Sequence, residues 1–145
     1  MSREQLLVWV DGGSRGNPGE AGCGIVMVWP DGQRERHALY LGRATNNVAE
    51  YAALLAALER AVALGRLPVE VRSDSELLVR QMTGSYRVRA RHLLPLWQRA
   101  RELASALPGF SIRHVPREEN GEADALANEA IDTRRSSLPR PAPLP

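Results

Sequence analysis

The chain has 145 residues, a single cysteine and a formal net charge of +2. That length suffices for one domain with its own apolar core, Cys23 on its own excludes an internal disulfide, and the apolar run after Met1–Gln5 is too short for a signal or membrane segment. The expectation is a cytoplasmic, reduced protein, and because all 19 basic residues are Arg, a lysine-dependent phosphate loop is excluded.

Charge is segregated along the chain. Arg80 to Arg101 contains six Arg and no acid, whereas Glu118 to Asp132 contains six acids and no Arg. One basic contact surface and one anionic cluster are expected from that pattern.

Leu6 to Val10 is an apolar run rich in β-formers, read as a buried strand that stops at Asp11. Gly12 to Gly19 then reads as a tight loop. Ala21 to Trp29 is a second buried strand, Pro30-Asp31-Gly32 a turn, and Gln33 to Leu41 a third strand broken at Gly42-Arg43-Ala44. Asn47 with Glu50 three residues later resembles a capping box, and Val48, Tyr51, Leu55, Leu58 and Val62 follow at helical spacing up to Gly65. Pro68 to Ser73 is a fourth strand that again runs out at an acid, Asp74, with a helix from Ser75 to Met82 behind it. A helix over about Leu93 to Leu107 accepts Pro95 in its first turn, Phe110 to Val115 is the fifth strand, and Glu122 to Ile131 the last helix.

The order β β β α β α α β α implies an α/β fold. Its mixed five-stranded sheet has three antiparallel strands plus two parallel strands joined through helices. Residues 1–132 form the expected catalytic domain, and residues 133–145, rich in Pro and Arg, are expected to be a disordered tail.

Strands one and four, if adjacent and parallel, place Asp11 and Asp74 side by side at their carboxyl ends, the usual position of a site in such sheets. Each acid has an ordinary task on its own: Asp11 in a turn, Glu50 in a cap, Asp74 at a helix start, Asp124 in a first helical turn. Together they deliver four carboxylates to one sheet edge, and converging anions need counter-charge. Hard oxygen donors suit Mg2+ or Mn2+ rather than zinc, and His37, His92 and His114 lack metal-site spacing. Glycoside hydrolysis by paired carboxylates suits neither four acids nor an aromatic content of 5%.

The stretches Asp11-Gly12-Gly13-Ser14-Arg15-Gly16-Asn17-Pro18-Gly19, Thr45-Asn46-Asn47-Val48-Ala49-Glu50, Ser73-Asp74-Ser75 and Asn120-Gly121-Glu122-Ala123-Asp124-Ala125-Leu126-Ala127, in that order, resemble the successive motifs of type 1 ribonuclease H. The resemblance implies the ribonuclease H fold and a hydrolase that cuts the RNA strand of an RNA/DNA hybrid, leaving 5′-phosphate and 3′-hydroxyl ends. It implies further that Asp11 bridges two Mg2+ ions, that Asp74 and Glu50 complete the ligation and that Asp124 holds the second ion, a two-metal phosphodiester hydrolysis. Asn17, Asn46 and Asn47 match positions that contact the hybrid in its minor groove, where 2′-hydroxyls mark the RNA strand, and Gly12, Gly13, Gly16 and Gly19 fit close backbone approach to a nucleic acid. A monomer without membrane attachment is expected.

Three departures stand out. Many bacterial members carry a His in the loop before the last acid; Pro116 to Gly121 has none, and Arg117 is the nearest basic side chain, suited to electrostatic help but not to acting as a base. Glu76 stands where many members have a Gln that touches the hybrid. In the general place of the basic protrusion lie Arg80, Arg87, Arg89, Arg91, Arg99 and Arg101 with Tyr86 and Trp97 between them; Arg87 and Arg89 are the expected phosphate contacts, and Trp97 is assigned to the core.

Overall fold

The computed structural model describes residues 4–65 and 67–144. The expected start at Met1 and the last residue of the tail, Pro145, lie outside them. Five strands and four helices alternate as β1 (Leu6–Arg15), β2 (Gly19–Val28), β3 (Arg34–Ala44), α1 (Asn46–Leu64), β4 (Val69–Ser73), α2 (Glu76–Met82), α3 (Leu94–Ser105), β5 (Phe110–His114) and α4 (Gly121–Thr133), with one 3-10 turn at Arg117–Glu119. The sheet order is β3-β2-β1-β4-β5. The β1–β2 and β2–β3 pairs are antiparallel, and β1–β4 and β4–β5 are parallel. This is the mixed sheet that the element order implies.

Even-numbered residues of β1 (Leu6, Val8, Val10) are buried in one core cluster with the Ala- and Leu-rich face of α1. The odd-numbered face, carrying Trp9 and Asp11, looks toward α4. Period-two alternation therefore sends Asp11 to the side opposite the main core. Helix α4 sits close on β2 because Gly24, the register partner of Asp11, has no side chain: a Cβ there would stand 2.1 Å from the Ala123 carbonyl oxygen.

Three local expectations change. First, β1 does not end at Asp11. Its parallel pairing with β4 ends at Val10↔Ser73, while the antiparallel ladder with β2 continues to Arg15↔Glu20, so the glycine-rich stretch is strand before it is turn. Second, β3 passes through Gly42 to Ala44: a register shift at Ala21/Gly22 and the positive φ of 72° at Gly42 absorb the irregularity. Third, Thr45 caps α1, its hydroxyl accepting from the Val48 N–H at 3.2 Å, so Glu50 is not the acid of a capping box. Arg87 and Arg89 are exposed on the irregular segment between α2 and α3.

The segment after Asp132, expected to be disordered, continues as the end of α4 and then runs back along the edge strand β3. The Ser136 hydroxyl accepts from the Tyr40 N–H at 2.8 Å, Ser137 donates its own N–H to the Ala38 carbonyl at 2.8 Å, and Pro141 is buried. Composition alone gave no sign of this, because it depends on the unpaired backbone groups of a distant edge strand, which Ser136 and Ser137 satisfy here.

Candidate active site

The parallel contact of β1 with β4 stops just before two acids, so Asp11 and Asp74 emerge next to each other where the strands part. Glu50 arrives from the first turns of α1. Its position depends on Gly12: a Cβ there would lie 2.3 Å from the Ala49 carbonyl carbon, and the bare backbone instead donates its N–H to Glu50 Oε1 at 2.7 Å. The room left by this glycine is therefore filled by α1. Asp11, Glu50 and Asp74 each offer an oxygen within 4.8 Å of the others, and Asp124 lines the same cleft from the first turn of α4.

This cleft has a volume of about 640 Å³. Burial, followed by the charges of Glu50 and Asp74 and the carboxyl of Asp124, pushes the Asp11 carboxyl up to about 9. Burial and Asp74 raise Glu50 to about 8, against the opposing pull of the Gly12 N–H and the Ser75 hydroxyl. The acids face one another with no internal cation between the trio, and oxygen is their only donor type. That set fits a hard divalent cation and does not fit zinc. Asp11, Glu50 and Asp74 are the residues that could hold it.

The loop before α4 adds Arg117 to the cleft wall, as expected of the only basic residue there, and β5 contributes His114 beside it. Gly12 and Asn46 also line the cleft. Asn46 Oδ1 accepts the Ser14 N–H at 2.8 Å, and Asn17 Oδ1 accepts the Asn46 N–H at 3.1 Å, so these two amides tie the β1–β2 turn to the start of α1. Asn47 is exposed on the first turn of α1. Neither Arg87 nor Arg89 belongs to the cleft wall. Trp97 is half-buried, donates its Nε1–H to the Gln81 carbonyl at 3.1 Å and lies under the Arg101 guanidinium.

Sequence reasoning missed four residues. Asn120 is buried and donates Nδ2–H to the Val10 carbonyl at 2.8 Å, with Asp74 Oδ1 at 3.5 Å. Arg15, Asn128 and His114 line the cleft. The periods hold a signal for two of them: Arg15 is four residues beyond Asp11 on the same strand face, and Asn128 is one helical step beyond Asp124.

A single mixed sheet with helices on both faces and carboxylates gathered beside its parallel strands defines a protein of the reverse transcriptase-like class, and the family model of that description matches residues 9–130. The chain is 49% identical over 129 residues to ribonuclease HI of Halobacterium salinarum, covering 88% of this chain and 65% of that protein. It is 36% identical over 147 residues to ribonuclease H of Halorhodospira halophila, covering 90% of this chain and 95% of that one. The crystal structure of LC11-RNase H1 in complex with an RNA/DNA hybrid superposes with a TM-score of 0.83 at 42% identity, over 89% of this chain and 98% of that one. The chain belongs to the type 1 ribonuclease H family. It spans just under two thirds of the Halobacterium relative.

Proposed function

We propose that the chain is a divalent-metal-dependent endoribonuclease that hydrolyses the RNA strand of RNA/DNA hybrids and leaves 5′-phosphate and 3′-hydroxyl ends. The observation that carries this reading is the trio Asp11, Glu50 and Asp74 within 4.8 Å, at the mouth of a cleft where burial and mutual repulsion raise two of the three acids. The two relatives above are named ribonucleases, and the LC11 enzyme was crystallised on a hybrid, which supports the same substrate class.

In this reading Asp11, Glu50 and Asp74 would hold Mg2+, or Mn2+ in its place, with Asp124 on the side of the second ion. When bound, such ions activate a water and neutralise the charge that builds on the phosphate and on the departing 3′ oxygen. The protein's own part is positional. Gly12 N–H and the Ser75 hydroxyl keep the Glu50 carboxylate turned into the cleft. Arg117 offers a fixed positive charge to a phosphate oxygen on the product side and takes no proton. Asn17, Asn46 and Asn47 present amide groups to the hybrid, Gly12 acts through the Glu50 it holds, and Arg87 and Arg89 supply outlying phosphate contacts. Monomeric action in the cytoplasm completes the proposal; among the described residues no helix is long and apolar enough to cross a membrane.

Labelled RNA/DNA, RNA/RNA and DNA/DNA duplexes incubated with Mg2+, Mn2+ or chelator provide the test. Cleavage of the RNA strand of the hybrid alone, abolished by chelator, is expected; inertness on every hybrid overturns the reading. On the same hybrid, binding should fall steeply with salt. Replacing Arg87 and Arg89 should flatten the log–log slope by about one per lost phosphate contact, and an unchanged slope removes these two from the substrate surface.

A further inference from the structure

Asp124 stands apart from the other acids in how it is held. Asp11 is fixed by the antiparallel ladder with β2, one residue past the last parallel pair with β4, and Glu50 by a hydrogen bond from Gly12, whereas Asp124 rides on the first turn of a helix whose N-terminus has no side-chain cap. The N-cap residue, Asn120, instead sends its amide N–H to the Val10 carbonyl and leaves its own buried Oδ1 without a hydrogen-bond partner. Forgoing the usual cap and stranding a buried oxygen costs free energy, so the bond to Val10 has a task other than ending the helix.

A second tie lies two helical turns on. Arg15 Nη2 donates to Asn128 Oδ1 at 3.0 Å, and Nη1 donates to Asp132 Oδ1 at 2.7 Å. The other end of the Asn128 amide donates Nδ2–H to the backbone carbonyl of Asp124 at 3.1 Å, and the Asp124 N–H donates to the Asn120 carbonyl at 3.0 Å. Both backbone groups of Asp124 are therefore tied to an asparagine, and each asparagine is tied to β1. On the strand, Val10 and Arg15 bracket Asp11; on the helix, Asn120 and Asn128 bracket Asp124. Arg15 and Asn128 also line the cleft itself.

We infer that Arg15 and Asn128 are positioning residues that set the distance between the carboxylates of Asp11 and Asp124 through the relay Arg15–Asn128–Asp124, and thereby tune divalent-cation affinity on the α4 side of the site. The inference rests on the proposed nuclease reading of Asp124. A guanidinium is the side chain suited to this task, since its planar fork reaches two acceptors at once where an ammonium is a single point charge. Both acceptors here lie on one helix face, four residues apart.

The test uses the full chain and variants Arg15→Ala, Arg15→Lys, Asn128→Ala and the double Arg15→Ala/Asn128→Ala. The measurements are Mn2+ titration by calorimetry without nucleic acid, the Mg2+ midpoint of hybrid cleavage, hybrid KM and kcat, and Tm. Each alanine variant is expected to weaken Mn2+ binding by about tenfold, the size seen when the partner of a ligand is removed. It should also raise the Mg2+ midpoint with hybrid KM unchanged, and leave Tm nearly in place because the bridges are exposed. The double variant should be no worse than either single one, since both cut the same relay, and Arg15→Lys should recover only part of the affinity. A raised hybrid KM with normal Mn2+ binding in Arg15→Ala overturns the inference in favour of a direct phosphate contact. Additive losses in the double variant, or no loss at all, overturn it as well. Failure of the unmutated chain to bind Mn2+ sinks the nuclease reading instead, which keeps the two failures distinct.

Discussion

Two groups of acidic residues on this sheet behave in opposite ways. In the cleft, Asp11 and Glu50 are raised to about 9 and about 8, chiefly by burial and then by neighbouring carboxylates. On the edge strand β3, Glu35 is lowered to about 2 because it accepts from Arg60 Nε at 2.5 Å and bonds His37 Nε2 at 2.9 Å; its other oxygen accepts from Trp29 Nε1 at 3.1 Å. The difference lies in the partners. Glu35 has its counter-charge in Arg60 of α1 and is complete within the fold, whereas Asp11, Glu50 and Asp74 converge on one another and remain electrostatically unfinished. Carboxylates with internal cations are structural; carboxylates that repel each other in a cleft need a cation from outside.

The largest effect expected is on activity. Asp11→Asn removes the charge shared by the whole cluster and should lower hybrid cleavage by about a thousandfold or more, the several kcal/mol that metal-assisted charge neutralisation supplies. The same variant in chelator should be more stable than the unmutated chain at neutral pH, because folding no longer has to bury an ionisable carboxyl beside other acids. A variant that loses stability along with activity would show that Asp11 is completed inside the fold, as Glu35 is, and would break the comparison.

Next comes Gly12→Ala. Its Cβ has no space against Ala49, so α1 must shift and carry Glu50 with it; overpacking of this kind costs about 1–3 kcal/mol. Thermal unfolding should show that loss, and Mg2+ should restore less stability than it restores to the unmutated chain, since a displaced Glu50 no longer meets Asp11 and Asp74.

Much of this was legible in the residues. Strand and helix order followed from hydrophobic period and from Gly and Pro punctuation, and the four acids stood out because two strand ends and two helix starts each carried one. What escaped was everything decided by a neighbour distant in sequence. Gly12 to Arg15 read as loop because glycine weakens strand propensity, yet the β2 partner holds them extended. Thr45, not Asn47, caps α1, while Asn46 and Asn17 tie the helix start to the β1–β2 turn. The bracket of Asn120 and Asn128 around Asp124 depends on how closely α4 rests on Gly24, a distance that no single element encodes.

The pH dependence of stability separates the two groups by sign. Asp11 and Glu50 have folded-state values above their unfolded ones, so what they contribute is present below about pH 4 and is lost as pH rises through about 8 to 9. In chelator the unmutated chain should therefore lose Tm between pH 5 and 9 on their account. Asp11→Asn should flatten that decline, and Mg2+ should reverse it, because a cation bound only by the folded state stabilises it by mass action. A decline unaltered by either would mean that other groups titrate there.

Glu35 gives the smallest effect and the opposite slope. Its folded-state value lies below the unfolded one, so its contribution is present above about pH 4.5 and disappears as pH falls toward about 2. Glu35→Gln should leave activity at neutral pH untouched, lower Tm slightly at pH 6 and remove part of the acid loss between pH 4.5 and 2, all measured as the difference between the two chains. The effect stays small because the Arg60 and Glu35 side chains keep 30% and 22% of their surface, and water screens a pair at that depth. His37 widens the consequence: its Nδ1 meets the Ser137 hydroxyl at 3.1 Å, so protonating Glu35 loosens one of the groups against which the C-terminal segment rests. Faster amide exchange at Ala38 and Tyr40 in Glu35→Gln would register that loosening. Unchanged exchange would confine the role of Glu35 to its ion pair with α1, and the contrast with the cleft would then be one of charge alone.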